Sequence, residues 1–238
     1  MSKAERPCVV LLPGLLCDEA VWRAQCVALD FADCVVPSYG ETDCLVQMAR
    51  DVLETLPARF SLAGHSMGGR VALEVARLAP ERVERLALLD SGTDAIAPGL
   101  AGTHERAKRQ ALLDIARAQG MRAMGTQWAC GMVHPAQLDT PLFAEILDMI
   151  DRRTPEVFAA QIRALLERPD ANDVLAGMRC PVLLVCGRQD DWSPLERHER
   201  MQALCPDSEL VVVEDSGHMS TMERPEAVVK ALRDWMRR

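Results

Sequence analysis

A serine at position 66 has a glycine two residues before it and another two residues after it, in the sequence Gly64-His65-Ser66-Met67-Gly68. A serine hydroxyl becomes a useful nucleophile only when a base takes its proton and donors stabilise the oxyanion that forms. A tight turn from a strand into a helix projects the hydroxyl above the sheet edge and places free N–H groups beneath the developing charge. Such a turn is crowded and needs small neighbours, whereas a plain helix cap does not, so the pattern predicts that Ser66 is a nucleophile.

The rest of the chain supplies the elements that must position this serine. Short apolar runs alternate with helical patterns, which predicts a parallel sheet with helices on both faces. The predicted strands cover residues 8–12, 34–36, 60–63, 83–89, 182–186 and 210–213. The predicted helices cover residues 18–28, 45–56, 67–78 and 225–235, and a further helix starts near residue 195.

Residues 94–177 break this alternation, because they contain no strand pattern and their apolar residues recur at helical spacing. One helix is predicted over residues 142–150. The next begins at Thr154-Pro155, a capping hydroxyl followed by a proline in the first turn. We therefore predict a core domain formed by residues 1–93 and 178–238, with residues 94–177 inserted between two of its strands as a helical lid.

These features resemble the α/β-hydrolase family over nearly the whole chain, with Ser66 at the position of the family's nucleophile. The resemblance implies that an acid and then a histidine follow on later turns. The segment LLVCGRQDDWSP, residues 183–194, is similar to the acid loop and makes Asp190 the acid. The segment VVVEDSGHMSTMERPEAV, residues 211–228, is similar to the histidine loop and makes His218 the base.

Two other aspartates stay open as the acid. Asp191 directly follows Asp190, although the spacing from Gly187 favours Asp190. Asp90 ends the strand that follows the helix after Ser66, where some relatives of the family place their acid; its structural alternative is a residue of a strand-end turn. His65, inside the turn, is predicted to pack aside.

The segment LLPGLLCDEAVW, residues 11–22, resembles the family's oxyanion loop, with Pro13 in place of the usual histidine. The resemblance implies that the backbone N–H groups of Leu15 and Met67 form the oxyanion hole. Many relatives open with an antiparallel strand pair before this loop. Because only seven residues precede Cys8, we predict that the pair is missing and that the fold is a six-stranded, mostly parallel α/β-hydrolase sheet.

The resemblance implies a serine hydrolase of carboxylic esters that works through an acyl-enzyme intermediate, with thioesters or lactones as further substrates. Relatives that use an aspartate nucleophile are disfavoured by the serine at position 66. One alternative keeps the same three side chains and cleaves a carbon–carbon bond of an activated diketone. Another is a ligand receptor without catalysis, since a fold alone does not fix chemistry.

Composition excludes several other classes of function. A net charge of −8 and 4% aromatic residues argue against a nucleic-acid surface, and no apolar run is long enough for a membrane span. Nine cysteines without a CxxC pair, and no signal peptide, predict reduced thiols in a cytoplasmic protein. The spacing gives no metal or phosphate site, so we expect no cofactor, and His104, His134 and His198 are predicted to lie on the surface.

The predicted pocket lies between the turn and the lid and takes a small-molecule ester with an apolar acyl part. Its candidate lining residues are Leu16, Met124, Trp128 and Phe143, and for the Met and aromatic residues of the lid a role in the lid core is at least as good an interpretation. Four lid arginines could form a basic face for an acyl carrier protein, although a solvated helix surface is the favoured interpretation. They are Arg152, Arg153, Arg163 and Arg168.

Overall fold

The centre of the molecule is a sheet of six parallel strands, seen in a computed structural model that describes residues 6–238. The strands are β1 (Cys8–Leu12), β2 (Asp33–Val35), β3 (Phe60–His65), β4 (Val83–Leu89), β5 (Val182–Gly187) and β6 (Glu209–Val213). The four inner strands are mostly apolar and almost entirely buried, as a parallel sheet covered by helices requires. This sheet confirms the predicted fold class, and the predicted strand ends differ from the observed ones by at most two residues.

The strand order, β2-β1-β3-β4-β5-β6, decides where a site can form. The chain runs outward from β1 to β2 and then returns to β3 on the other side of β1. In open parallel sheets, ligands bind where the connections diverge in this way, at the carboxyl ends of the strands. The register pairs Leu12 with Gly64, so the loop after β1 lies directly beside Ser66.

Eleven α-helices surround the sheet within residues 6–238. They are α1 (Arg23–Ala28), α2 (Leu45–Thr55), α3 (Met67–Leu78), α4 (Leu100–Gln119), α5 (Met121–Ala129), α6 (Pro141–Asp151), α7 (Pro155–Leu166), α8 (Asn172–Ala176), α9 (Leu195–Leu204), α10 (Ser220–Glu223) and α11 (Pro225–Trp235). The predicted helix over residues 18–28 is split, because Asp18 caps a 3₁₀ turn over Glu19–Trp22 before α1 begins.

Helices α4 to α8 form a helical segment between β4 and β5 that contains no strand. The predicted helix over residues 142–150 corresponds to α6, and the Thr154 hydroxyl caps α7 by accepting a hydrogen bond from the Val157 N–H at 3.3 Å. The division of the chain into a core domain and a lid stays a prediction.

Side chains of α6 and α7 tie the helical segment to the loops at the carboxyl edge of the sheet. Gln161 of α7 accepts a hydrogen bond from the Leu16 N–H at 2.9 Å. Of the four lid arginines, Arg152 pairs with Asp18, Arg163 pairs with Asp43, and Arg153 donates to the Cys17 carbonyl at 2.8 Å. The fourth, Arg168, pairs with Glu105 inside the segment. A carrier protein that bound these arginines would have to compete with those contacts.

Two predictions concern the ends of the chain and the membrane. The expected absence of an antiparallel strand pair falls on residues 1–7, of which 1–5 lie outside the described residues. Within residues 6–238, no helix combines the length and the apolar character that crossing a bilayer needs.

Candidate active site

Ser66 lies at the corner between β3, which ends at His65, and α3, which begins at Met67. Its φ of 53° is in the left-handed region, which costs a residue with a side chain roughly 1–2 kcal/mol. A hydrogen bond from the Ser66 N–H to the Leu89 carbonyl, 2.8 Å long, holds the corner in place. The strained backbone conformation thus occurs at Ser66, the serine that the sequence predicts to be the nucleophile.

The two flanking glycines are required by this corner. A Cβ atom on Gly64 would lie 2.3 Å from the Gly68 carbonyl oxygen, and one on Gly68 would lie 2.2 Å from the Leu12 carbonyl oxygen. Both obstacles are backbone atoms, which cannot rotate away as a flexible side chain can. The close approach of β3, α3 and the loop after β1 therefore depends on the absence of side chains at residues 64 and 68.

We expect Gly64→Ala to lower the free energy of unfolding by about 3 kcal/mol, because the added methyl group overpacks a backbone contact. Urea unfolding followed by circular dichroism measures this change. Gly131→Ala is the matched control, since Gly131 is exposed and a Cβ there would be 3.4 Å from its nearest neighbour. Equal stability of the two variants would contradict this account of the corner.

Three polar side chains meet at the carboxyl edge of the sheet. The Nε2 atom of His218, on the loop after β6, lies 2.8 Å from the Ser66 Oγ. Its Nδ1 lies 2.8 Å from the Oδ2 of Asp190, on the loop after β5. The other Asp190 oxygen accepts hydrogen bonds from the N–H groups of Trp192 and Ser193, both at 2.8 Å. Ser66, His218 and Asp190 therefore form one continuous chain of hydrogen bonds.

The charges within this chain support proton transfer to His218. Burial alone would lower the pKa of His218, but the charge of Asp190 and its hydrogen bond outweigh burial and raise it. Burial would raise the pKa of Asp190, but the same contact and the two backbone N–H groups lower it. An ionised Asp190 thus holds the imidazole with its Nδ1 protonated and leaves Nε2 free to accept the hydroxyl proton of Ser66.

The two alternative acids are placed elsewhere. Asp191 is exposed. Asp90 is fully buried: one of its oxygens accepts a hydrogen bond from the Gly187 N–H at 3.0 Å, and the other accepts from the Ser220 hydroxyl at 2.5 Å. Burial raises the pKa of Asp90 well above its usual range, and the negative charge of Asp190 raises it further. Asp90 therefore joins the end of β5 to α10 instead of forming a hydrogen bond with the His218 ring.

Two further histidines are buried near the site. The Nε2 of His65 donates to the carbonyl oxygen of His218 at 2.8 Å. Burial, followed by the charge of His218, lowers the pKa of His65 to about 4, so it is neutral and can position the His218 backbone. His198 is also buried and accepts a hydrogen bond from the Ser91 N–H at 3.3 Å. The prediction that His198 lies on the surface is wrong, because the side of α9 that carries His198 packs against β5 and β6 of the sheet.

The loop after β1 presents backbone donors beside Ser66. Leu16 has a φ of 61°, and its N–H donates a hydrogen bond to Gln161. This contact with the helical segment holds the turn at Leu15 in place. Leu15 and Ser66 line the same cavity. Within residues 6–238, the N–H groups of Leu15 and Met67 have no hydrogen-bond acceptor. Their role as an oxyanion hole stays a prediction.

The cavity at Ser66 has a volume of about 40 Å³. Ligand pockets are usually several hundred Å³, so this cavity is small for a ligand pocket. The apolar part of the lining comes from Leu15, Met132, Leu165, Trp128 and Trp192. Cys17 also lines the cavity, but burial raises the pKa of its thiol to about 12, so it stays protonated. A wider surface groove of about 570 Å³ lies between α1 and α11, away from Ser66.

Only one of the four candidate pocket residues lines this cavity. Trp128 does so, with its ring centroid 5.3 Å from that of Trp192. Leu16 and Met124 are fully buried and Phe143 is partly buried, all outside the lining. Their part in substrate binding stays a prediction.

Several residues of the site have no recognisable signal in the sequence. Glu223 of α10 accepts hydrogen bonds from the N–H groups of Gly217 and Met219, at 3.0 and 3.1 Å, and so fixes the loop that carries His218. Trp192 lies 5.8 Å from the His218 ring, centroid to centroid. Arg109 lines the cavity from α4, a helix whose bounds the sequence pattern does not indicate.

One cluster near the site has metal-binding residue types. Ligand atoms of Asp90, Cys186 and Asp190 lie within 4.8 Å of one another, and all three residues are buried. Each atom already has a protein partner, since the Cys186 thiol donates to the carbonyl oxygens of Gly187 and Ser193. Burial raises the pKa of Cys186, so its thiol is protonated. These residues do not fit a metal ion as they stand.

Known proteins with similar sequences include several enzymes. A pimeloyl-[acyl-carrier protein] methyl ester esterase from Nitrosomonas europaea is 28% identical over 236 residues, covering 94% of this chain and 93% of that protein. A 2-hydroxy-6-oxononadienedioate/2-hydroxy-6-oxononatrienedioate hydrolase from Escherichia coli K12 is 28% identical over 200 residues, covering 82% of this chain and 69% of that protein. A dihydrolipoyllysine-residue acetyltransferase component of the acetoin cleaving system from Pseudomonas putida is 30% identical over 205 residues, 84% of this chain. The match spans about half, 51%, of that last relative's length.

Solved structures agree with the sequence relatives. A thermophilic esterase from Thermogutta terrifontis superposes with a TM-score of 0.87 at 29% identity, covering 97% of this chain and 89% of that chain. Residues 9–231, which include every strand except the first residue of β1, match the profile of the alpha/beta hydrolase family. With its parallel sheet and its serine at the strand-to-helix turn, the chain belongs to the alpha/beta hydrolase family.

Proposed function

We propose that the protein is a serine hydrolase that cleaves carboxylic esters through an acyl-enzyme intermediate. The observation that carries this proposal is the hydrogen-bonded chain from Ser66 through His218 to Asp190, with both bonds at 2.8 Å. A receptor without catalysis has no need for a strained serine bonded to a buried histidine and carboxylate. The esterases among the similar proteins support the same reaction class.

The proposed reaction follows from the position of each group. His218 Nε2 accepts the hydroxyl proton of Ser66 as Oγ attacks the ester carbonyl carbon, and the carbonyl oxygen becomes an oxyanion. The N–H groups of Leu15 and Met67 bind that oxyanion, and losing one such donor typically costs about 3 kcal/mol. His218 then passes the proton to the departing alkoxide oxygen. Water attacks the acyl-enzyme by the reverse sequence of proton transfers, which releases the acid and restores Ser66.

The lining of the cavity favours small, largely apolar acyl groups. Trp128, Trp192, Leu165 and Met132 offer aromatic and flexible apolar surface, which suits an alkyl chain. Thioesters and lactones present the same carbonyl carbon to Ser66 and are further substrates of the proposed enzyme. A cytoplasmic location and recognition of an acyl carrier protein stay predictions, the latter prompted by the four lid arginines and by the name of one relative.

Hydrolysis of a carbon–carbon bond in an activated diketone is the second candidate. It is favoured by the similarity to the Escherichia coli dioate hydrolase and uses the same three side chains. The two candidates differ in the leaving group, which is an alkoxide for an ester and a carbanion equivalent for a diketone. Turnover of diketones together with failure to hydrolyse any ester would displace the ester proposal.

A panel of p-nitrophenyl esters with acyl chains from C2 to C12 tests the proposal. We expect turnover to be fastest for the short chains, because the cavity beside Ser66 is small. Labelling with a fluorophosphonate probe, followed by peptide mass spectrometry, should modify Ser66. Absence of both turnover and labelling at Ser66 would overturn the proposal, while labelling without ester turnover would redirect it to another carbonyl substrate.

A further inference from the structure

Arg109 of α4 is the one arginine or lysine that lines the cavity beside Ser66, within the described residues. Its side chain is 20% exposed, and the rest of the lining is apolar except for Cys17, Ser66 and the two histidines. A guanidinium in such surroundings is poorly hydrated and carries its positive charge at all physiological pH values. A cation placed in this way has to have a structural partner or a ligand.

The structural partner accounts for only part of the Arg109 side chain. Arg109 donates through Nε and Nη2 to one oxygen of Glu105, at 3.0 and 2.9 Å. Arg168 already holds both oxygens of the same carboxylate, with Nη1 at 2.8 Å and Nη2 at 2.9 Å. The Nη1 of Arg109 has no hydrogen-bond acceptor within residues 6–238. One carboxylate thus serves two guanidinium groups, and Arg109 retains donors for a third partner.

Further arginines increase the positive charge around this pair. Arg70 donates through Nη1 to the backbone carbonyl of Asp94 at 2.8 Å. Burial, followed by the charges of Arg168 and Arg197, lowers the pKa of Arg70 to about 9. Arg197 donates to a backbone carbonyl and to a hydroxyl, and forms no ion pair with any residue of the described chain. Four guanidinium groups therefore share the carboxylates of Glu105 and Asp94, with Asp190 acting on Arg197 alone of the four, so positive charge is in excess and an added anion would be stabilised.

We infer that Arg109 forms a carboxylate-binding subsite beside Ser66, and that the preferred substrate is an ester carrying a free carboxylate. A monoester of a dicarboxylic acid has this chemistry. Its carboxylate would accept hydrogen bonds from the open side of the guanidinium while its ester carbonyl lies at Ser66. The inference rests on the proposed function and specifies the class of ester. It also explains why a mostly apolar cavity retains a charged side chain.

The test compares monoethyl esters of dicarboxylic acids, from succinate to suberate, with the ethyl alkanoates of equal chain length. For wild type we expect a higher kcat/KM on the acidic member of at least one pair. Arg109→Gln should lower the ratio of acidic to neutral kcat/KM by about 10- to 100-fold, mainly through KM on the acidic ester. Arg109→Lys should restore part of this ratio, because it keeps the charge and loses the planar fork. Lys108→Gln is the matched control on the exposed side of α4 and should leave the ratio unchanged.

Calorimetric binding of the acidic monoesters to the Ser66→Ala protein gives a readout that does not depend on turnover. We expect binding that is weakened by Arg109→Gln in that background, with thermal unfolding used to verify that each variant is folded. A ratio that Arg109→Gln leaves unchanged, or failure of Ser66→Ala to bind any acidic monoester, would overturn the inference. Neutral ester hydrolysis that depends on Ser66 would still support the proposed function, so the two failures are distinguishable.

Discussion

Ser66→Ala is expected to lower kcat for ester hydrolysis by about a million-fold and to abolish labelling by a fluorophosphonate. The Ser66 Oγ is the one hydroxyl that His218 Nε2 contacts, at 2.8 Å, so no neighbouring side chain can replace it. A small residual rate over water is expected, since the N–H groups of Leu15 and Met67 can still stabilise an oxyanion. The measurement is kcat on a short p-nitrophenyl ester at saturating substrate.

Ser38→Ala is the matched control for this change, because Ser38 is exposed. We expect it to keep wild-type kcat and labelling. Circular dichroism and thermal unfolding of Ser66→Ala should match wild type, since alanine keeps the backbone of the corner and removes only the hydroxyl. Activity of Ser66→Ala within tenfold of wild type would mean that another residue is the nucleophile.

The sequence made the sheet and the serine corner predictable because each depends on local chemistry. Strands buried on both faces are mostly apolar, so β1 and β5 stand out as short continuous runs, as does the second half of β4. The corner needs Gly64 and Gly68 because the backbone atoms of Gly68 and Leu12 would lie within 2.4 Å of any Cβ. Both requirements restrict the residue types at neighbouring positions of the chain, which makes them visible in the sequence.

Contacts between distant segments do not restrict neighbouring residue types in this way. Gln161 reaches Leu16 across 145 positions, and nothing near either residue indicates the pairing. Helix α4 is mostly exposed and has a weak apolar stripe, so neither the helix nor Arg109 on its inner side could be placed. His198 is a different case, since Leu195 and Met201 lie three residues on either side of it, on the face of α9 that packs on β5.

The choice of acid shows the same limit on a smaller scale. Asp190 and Asp191 are adjacent, so spacing ranks them without settling which one faces the histidine. The hydrogen bonds from the N–H groups of Trp192 and Ser193 turn the Asp190 carboxylate inward, while Asp191 remains exposed. Asp90 lies close enough to contact His65 at 3.7 Å, but its oxygens are occupied by Gly187 and Ser220.

Asp190→Asn is expected to lower kcat by about 10⁴-fold while leaving the fold intact. The amide cannot stabilise the imidazolium that forms at His218 and favours the tautomer with the proton on the wrong nitrogen. Asp90→Asn should cost less than about tenfold, because burial keeps Asp90 close to its neutral form, which asparagine resembles. Asp191→Asn is the exposed control and should keep wild-type kcat.

The pH dependence of kcat/KM distinguishes the two buried acids independently of how much kcat each variant loses. His218 must be neutral to accept a proton, so kcat/KM rises with pH as the His218 imidazolium loses its extra proton. Burial lowers the pKa of His218, but Asp190 more than compensates, so the wild-type rise is expected above pH 6.5. Without the Asp190 charge, burial dominates and the rise should move to lower pH in Asp190→Asn. In Asp90→Asn it should move less far in the same direction, because the charge of Asp90 raises the pKa of His218 less than Asp190 does. A larger shift in Asp90→Asn than in Asp190→Asn would make Asp90 the acid that acts on His218.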